Sequence, residues 1–194
     1  NIERLLYRHT GKLHDDVGDL LASGRVGAVL RDHDLDPAAV ADIVAGEGRY
    51  GQLVSGELDV DRMDYLVRDA HHTGAPYGTI DHGRLVRELT FVDGELVLGE
   101  GNVQTAESLL LARALMNPTV YQHHVARIGK AMLRRATERL LDETGHDAEA
   151  VRRWDDADLL ATLRRTDAAA GFADRLSTRD LYKRAVWAEL DAVP

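Results

Sequence analysis

The sequence predicts an all-α fold carrying one small β-hairpin near residues 89–98. Three observations lead there. Apolar residues recur three and four positions apart along most of the chain, the spacing that gives a helix one apolar face. Helix punctuation accompanies them, as in Asp36-Pro37 at a start and Gly46 and Gly74 at stops. Strand-like runs meet around a tight turn at a single place, Asp93-Gly94.

In order, residues 2–9 place Ile2, Leu5 and Leu6 at helical spacing, and "HDDVGDLLAS" places Val17, Leu20 and Leu21 likewise. "DPAAVADIVAGEG" opens with Asp36 as N-cap and Pro37 in the first turn and closes on Gly46. The stretch "LDVDRMDYLVRDAHHTG", residues 58–74, reads as a helix stopped by Gly74, Pro76 and Gly78. "ELTFVDGELVLGEG" is the hairpin. Residues 104–116 form an apolar helix that Asn117-Pro118 breaks and restarts, and "TVYQHHVARIGKAMLRRATERLLDE" continues it to about residue 143. Further helices are expected over "DDADLLATLRR" and from Arg179 to Glu189. No repeat, low-complexity tract or shift of composition marks a second domain.

Composition excludes several classes of function. With 44% hydrophobic and 29% charged residues the 194-residue chain can build a full hydrophobic core, so it is not a disordered one. No apolar run is long enough for a membrane span, and no leader is visible, which points to the cytoplasm. There is no cysteine, so any metal must rest on His, Asp or Glu. A net charge of -9 opposes tracking of a nucleic-acid backbone, although a small anionic ligand in a locally basic pocket is compatible with it. Arginine outnumbers lysine by 21 to 3.

On the 58–74 helix, Met63, Leu66, Val67 and Ala70 share one face, and Asp61, Tyr65 and Asp69 line the opposite one, flanked by Arg62. Asp64 and Arg68 stand four apart as a surface pair. On spacing alone the Asp61–Tyr65–Asp69 line reads more readily as a solvated face than as a site. Adjacent His71 and His72 diverge around the helix and cannot easily share one metal. His123, Arg127, Lys130 and Arg134 form a cationic stripe of helical period, more often a solvated face than an anion site.

The run from Asp61 to Gly74 fits D-[KR]-x-D-Y-x-x-R-D-x-x-x-x-G and resembles the segment that carries the last metal-binding aspartate in HD-superfamily deoxynucleoside triphosphate triphosphohydrolases. "ARALMNPTVYQHHVARIGKAML" and "RDLYKRAVW" resemble later family segments, in the right order. The resemblance implies an HD-domain-like helical core and hydrolysis of a dNTP to deoxynucleoside and triphosphate with a divalent metal ion, Mg, Mn, Fe or Zn. It implies Asp61 as metal ligand, Arg62 and Arg113 on phosphate, and Tyr65, Asp69 and Tyr121 around the sugar, with Asp69 reaching a 3'-hydroxyl. His14 in "KLHDD" resembles the histidine that assists hydrolysis, and Glu3 falls where an orienting carboxylate often stands.

Departures from the family matter as much. Its metal site takes a first His, an adjacent His-Asp doublet and the distant Asp, and only the last has a match, Asp61. Asn117 stands where some relatives have His. The resulting expectation is that residues 1–194 are the C-terminal portion of one HD-type helical domain, truncated at both ends, in a protein that binds a nucleotide substrate and assembles as a homo-oligomer, dimer or larger. An HD phosphohydrolase acting on another nucleotide or phosphate ester, or a catalytically inactive nucleotide-binding regulator, are the alternatives.

Overall fold

The computed structural model describes residues 2–186. Helices dominate, and a single two-stranded antiparallel hairpin accompanies them among the described residues. None of the described helices is long and apolar enough to cross a membrane. The chain divides into two compact units, Asn1–Leu13 with Gln122–Pro194, and His14–Tyr121. The first is assembled from both ends of the chain, so no single compositional boundary in the sequence separates them.

The central unit, His14–Tyr121, begins with α2 (Gly18–Ala22), α3 (Gly24–Asp32), α4 (Pro37–Val44) and α5 (Gly48–Val54). The helix expected over "HDDVGDLLAS" shrinks to the five residues of α2, because His14 and Asp15 form a turn ahead of it. Asp36 caps α4 as expected, its Oδ1 accepting the Ala38 N–H at 3.0 Å with Pro37 in the first turn.

Helix α6 (Val60–Thr73) begins where Asp59, itself buried, accepts the Arg62 N–H, and it stops at Gly74 in the left-handed conformation. Its apolar face follows the predicted spacing. Met63, Leu66 and Ala70 are buried with Leu85, Leu109, Ala112 and Met116, forming the core of this unit. Leu66 is fully buried, worth about 1.5–3 kcal/mol relative to an exposed side chain. Gly78 allows the following loop to touch this helix: a Cβ there would lie 2.3 Å from the Leu66 carbonyl oxygen and 2.4 Å from the Ala70 Cβ.

Helix α7 (His82–Glu88) leads into β1 (Leu89–Val92) and β2 (Glu95–Leu98), paired from Leu89 opposite Leu98 to Val92 opposite Glu95. Asp93 and Gly94 both take positive φ, 51° and 88°, as the tight two-residue turn requires. Gln52 of α5 clamps the hairpin, donating to the Gly94 carbonyl at 3.2 Å and accepting the Leu96 N–H at 3.0 Å. Buried Asn102 accepts from Arg84 and donates to Glu88 at 3.1 Å, tying α7 to the start of α8 (Val103–Met116).

The expected restart of the helix after Pro118 is corrected. Asn117–Tyr121 is a π-helical turn, and α9 (His124–Thr144) begins only at His124. Proline lacks the N–H that would continue the regular ladder, so the chain widens into that turn before breaking.

The terminal unit, Asn1–Leu13 with Gln122–Pro194, holds α1 (Ile2–Thr10), α9, α10 (Ala148–Val151), α11 (Asp156–Arg165) and α12 (Asp167–Ser177). Leu5 and Leu6 of α1 are buried with Leu141, Ala148 and Val151. Ala136, Leu140, Leu163, Ala169 and Ala173 pack α9 against α11 and α12. The stripe His123, Arg127, Lys130 and Arg134 is exposed, opposite buried Met132, Ala136 and Leu140. The helix expected from Arg179 is not formed over residues 179–186: α12 ends at Ser177 and Arg179 itself takes a positive φ of 56°. Residues 187–189 of that expectation lie outside the described residues.

Candidate functional site

Helix α6 and the π-helical turn build the site between them. The turn places Val120 and Tyr121 against the same core that holds Met63 and Leu66, so Tyr121 faces the polar side of α6 rather than solvent. Its ring meets that of Tyr65 edge to face, centroids 5.8 Å apart at 78°. Tyr65, Leu110, Arg113, Ala114, Asn117 and Tyr121 line a cavity of about 470 Å³. Four sequence candidates therefore meet here: Tyr65, Arg113 and Tyr121 on the wall, and Asp69 beside the Tyr121 hydroxyl.

The Tyr121 hydroxyl is buried and makes no hydrogen bond of regular geometry, although the Asp69 carboxylate lies close enough to interact with it. Burial, then the neighbouring Asp69 carboxylate, push its ionisation well above the usual tyrosine range. The pair is a donor and an acceptor whose mutual hydrogen bond is poorly formed. A ligand hydroxyl, which both accepts and donates, satisfies the two at once.

Arg62 is anchored. Its Nη1 donates to the Glu57 carbonyl at 2.6 Å, Nη2 lies 3.5 Å from the Asp59 carboxylate, and the side chain is 14% exposed. Its Nε is buried and unpartnered. Arg113, on the last turn of α8, is 46% exposed and lies 3.9 Å from Glu57 Oε2. The two expected phosphate ligands are thus gathered around one glutamate that the sequence reading passed over, as it passed over Asp59. Asp59 had a signal, since an Asp directly before a helical run is a cap. Glu57 had none.

Other candidates lie apart from the cavity wall. Asp61 is exposed on α6, and no group of three or more His, Asp or Glu able to hold a metal ion exists among the described residues. These residues alone therefore do not fit a metal centre, whose first-row divalent ions take several such ligands. His14 sits exposed in the turn before α2, and Glu3 is exposed on α1 in the terminal unit. Asp64 and Arg68 form the expected surface pair, on the side of α6 that carries His71 and a separate groove with His82 and Val86.

Residues 80–194 match the model of the family described as the HD associated region. The chain belongs to that family. Among relatives of the HD-associated-region chain, an uncharacterized protein of Methanocaldococcus jannaschii is 37% identical over 140 residues, 70% of this chain and 31% of the relative. One from Bacillus subtilis is 33% identical over 132 residues, 65% of this chain and 30% of the relative. The chain thus spans about a third of the length of the curated relatives it matches. A solved phosphohydrolase from Bacteroides thetaiotaomicron superposes with a TM-score of 0.71 at 22% identity, over 97% of this chain and 56% of its own. A hypothetical protein from Aquifex aeolicus gives 0.72 at 26% identity, over 90% and 50%. The chain shares its fold with both of these solved structures.

Proposed function

We propose that the cavity on α6 is the sugar and phosphate pocket of an HD-type phosphohydrolase that releases triphosphate from a deoxynucleoside triphosphate. The observation that carries this reading is the buried Tyr121 hydroxyl, without a well-formed hydrogen bond, beside the Asp69 carboxylate. A deoxyribose 3'-hydroxyl accepts from Tyr121 and donates to Asp69, and leaving either group unmatched in a buried site is costly. The Tyr65 and Tyr121 rings offer an apolar flank on which a sugar lacking a 2'-hydroxyl can lie. Arg113 at the wall, with Arg62 behind Glu57, supplies the positive charge that phosphate oxygens need. The Bacteroides neighbour's description as a phosphohydrolase supports the reaction class.

A divalent ion in such an enzyme neutralises phosphate charge and activates water. Asp61 would contribute one carboxylate to it, and no group of three or more His, Asp or Glu able to hold the ion exists among the described residues. Residues 1–194 alone are accordingly expected to bind nucleotide and turn it over poorly, the behaviour of a nucleotide-binding module.

The test is to incubate the full-length gene product with each dNTP and each NTP, with Mn or Mg, and to separate the products. Triphosphate and deoxynucleoside are expected from at least one dNTP. Release of phosphate or pyrophosphate instead would move the reading to another HD phosphohydrolase class, and no product from any nucleotide would end it.

A further inference from the structure

Oε2 of Glu57 lies 3.5 Å from Arg62 Nη1 and 3.9 Å from Arg113 Nη1, so one carboxylate oxygen sits between two guanidiniums from different helices. The three partners differ in freedom. Arg62 is 14% exposed and held by the Glu57 backbone carbonyl and by Asp59, whereas the Glu57 side chain is 85% exposed and Arg113 46%. The carboxylate can therefore swing into solvent while Arg62 keeps its place, since Arg62 is bonded to the glutamate's main chain rather than dependent on its side chain.

Arginine pairs that share an oxygen in this way are suited to a phosphate oxygen, which offers the same charge and acceptor geometry. Arg113 also lines the cavity with Tyr65 and Tyr121, so one of the two guanidiniums that meet at this oxygen belongs to the pocket wall. We propose that Glu57 is a built-in anion at this arginine pair, displaced when a phosphorylated ligand enters, and that its charge sets how tightly the pocket holds polyphosphate. This rests on the reading of the cavity as a nucleotide pocket. Exposed ion pairs are weak, so displacement is easy, yet the displaced carboxylate still repels the incoming charge.

The experiment uses the 194-residue chain and inorganic tripolyphosphate as probe, titrated by calorimetry without metal. Glu57→Gln should tighten binding about five-fold, the size expected from releasing two exposed ion pairs, and Arg113→Ala should weaken it. Glu57→Asp, which keeps the charge, should bind close to wild type, and circular dichroism should show all three variants folded. Unchanged or weaker binding by Glu57→Gln, with Arg113→Ala still weakened, overturns the role of Glu57 and leaves the pocket reading standing. If Arg113→Ala binds as wild type does, or if neither wild type nor Glu57→Gln binds, the phosphate reading itself fails and takes the inference with it.

Discussion

Replacing Tyr121 by Phe separates two consequences of the same hydroxyl. The aromatic ring stays, so its edge-to-face contact with Tyr65 at 5.8 Å and its packing on the α6 core are kept. Only the oxygen goes. That oxygen is buried beside the Asp69 carboxylate without a hydrogen bond of regular geometry, and a buried polar group left poorly satisfied costs roughly 1–3 kcal/mol. Tyr121→Phe should therefore stabilise the ligand-free protein by about 1 kcal/mol, the low end because the residue as a whole is half-buried. For a chain of this size that corresponds to a rise in Tm of roughly 2–4 °C. The liganded protein should respond in the opposite direction. A hydroxyl that donates to a sugar contributes about 0.5–1.5 kcal/mol, so dGTP binding should weaken roughly three- to ten-fold. Differential scanning calorimetry with and without dGTP reads both effects on one variant. A fall in Tm without ligand would mean that the hydroxyl has a partner in the folded chain. A rise in Tm with unchanged dGTP binding would remove Tyr121 from the sugar site.

Other perturbations follow from the same geometry. Leu66→Ala empties a fully buried position on α6 and should cost about 2–5 kcal/mol, seen as a lower urea midpoint. Asp59→Ala removes the cap of α6, which accepts from the Arg62 and Gly56 N–H groups, and should cost about 1–2 kcal/mol in the same assay. It also takes away a carboxylate partner of Arg62, so tripolyphosphate binding should tighten if the protein stays folded. For pH, the Tyr121 ionisation is raised in the folded state by burial and by Asp69, so it leaves stability unaffected below the unfolded value of about 10 and lowers it as pH rises beyond that value. Tyrosinate absorbance should show one phenol ionising later than the rest, and Tyr121→Phe should abolish that late step while flattening the alkaline loss of stability.

Helices were legible where local chemistry and tertiary packing agreed. On α6 the cap, the apolar spacing and the glycine stop all point to one outcome, and the structure has it. The hairpin was legible because Asp93-Gly94 can take the positive φ values that a two-residue turn demands. What escaped was decided by geometry that spacing does not encode. "TVYQHH" has helical apolar spacing, yet Pro118 cannot extend the ladder and the chain opens into a π-helical turn. Residues 179–186 carry apolar Leu181, Tyr182 and Val186, yet they run on without helix after Arg179 adopts its positive φ. The Tyr182 N–H instead meets the Met132 sulfur at 3.4 Å, a tertiary contact fifty residues away that no local pattern announces.

The site divides along the same line. Tyr65 and Asp69 could be placed on one face of α6 by counting, but whether that face met water or a pocket depended on where the segment after α8 turned back. The π-helical turn supplies the answer by setting Tyr121 against Tyr65 and beside Asp69, so an arrangement that costs the helix its regular ladder is the one that assembles the pocket wall. Glu57 shows the converse. It precedes the helix and belongs to no periodic face, and an exposed glutamate in a loop carries no signal by itself. Its significance arises only because the last turn of α8 brings Arg113 to the oxygen that Arg62 already faces. Charge in this pocket is therefore a property of three segments together, and a substitution at residue 57 should alter phosphate affinity while leaving helix content and the sugar side untouched. A Glu57→Gln variant that tightens tripolyphosphate but leaves binding of an uncharged deoxynucleoside unchanged would display that separation directly.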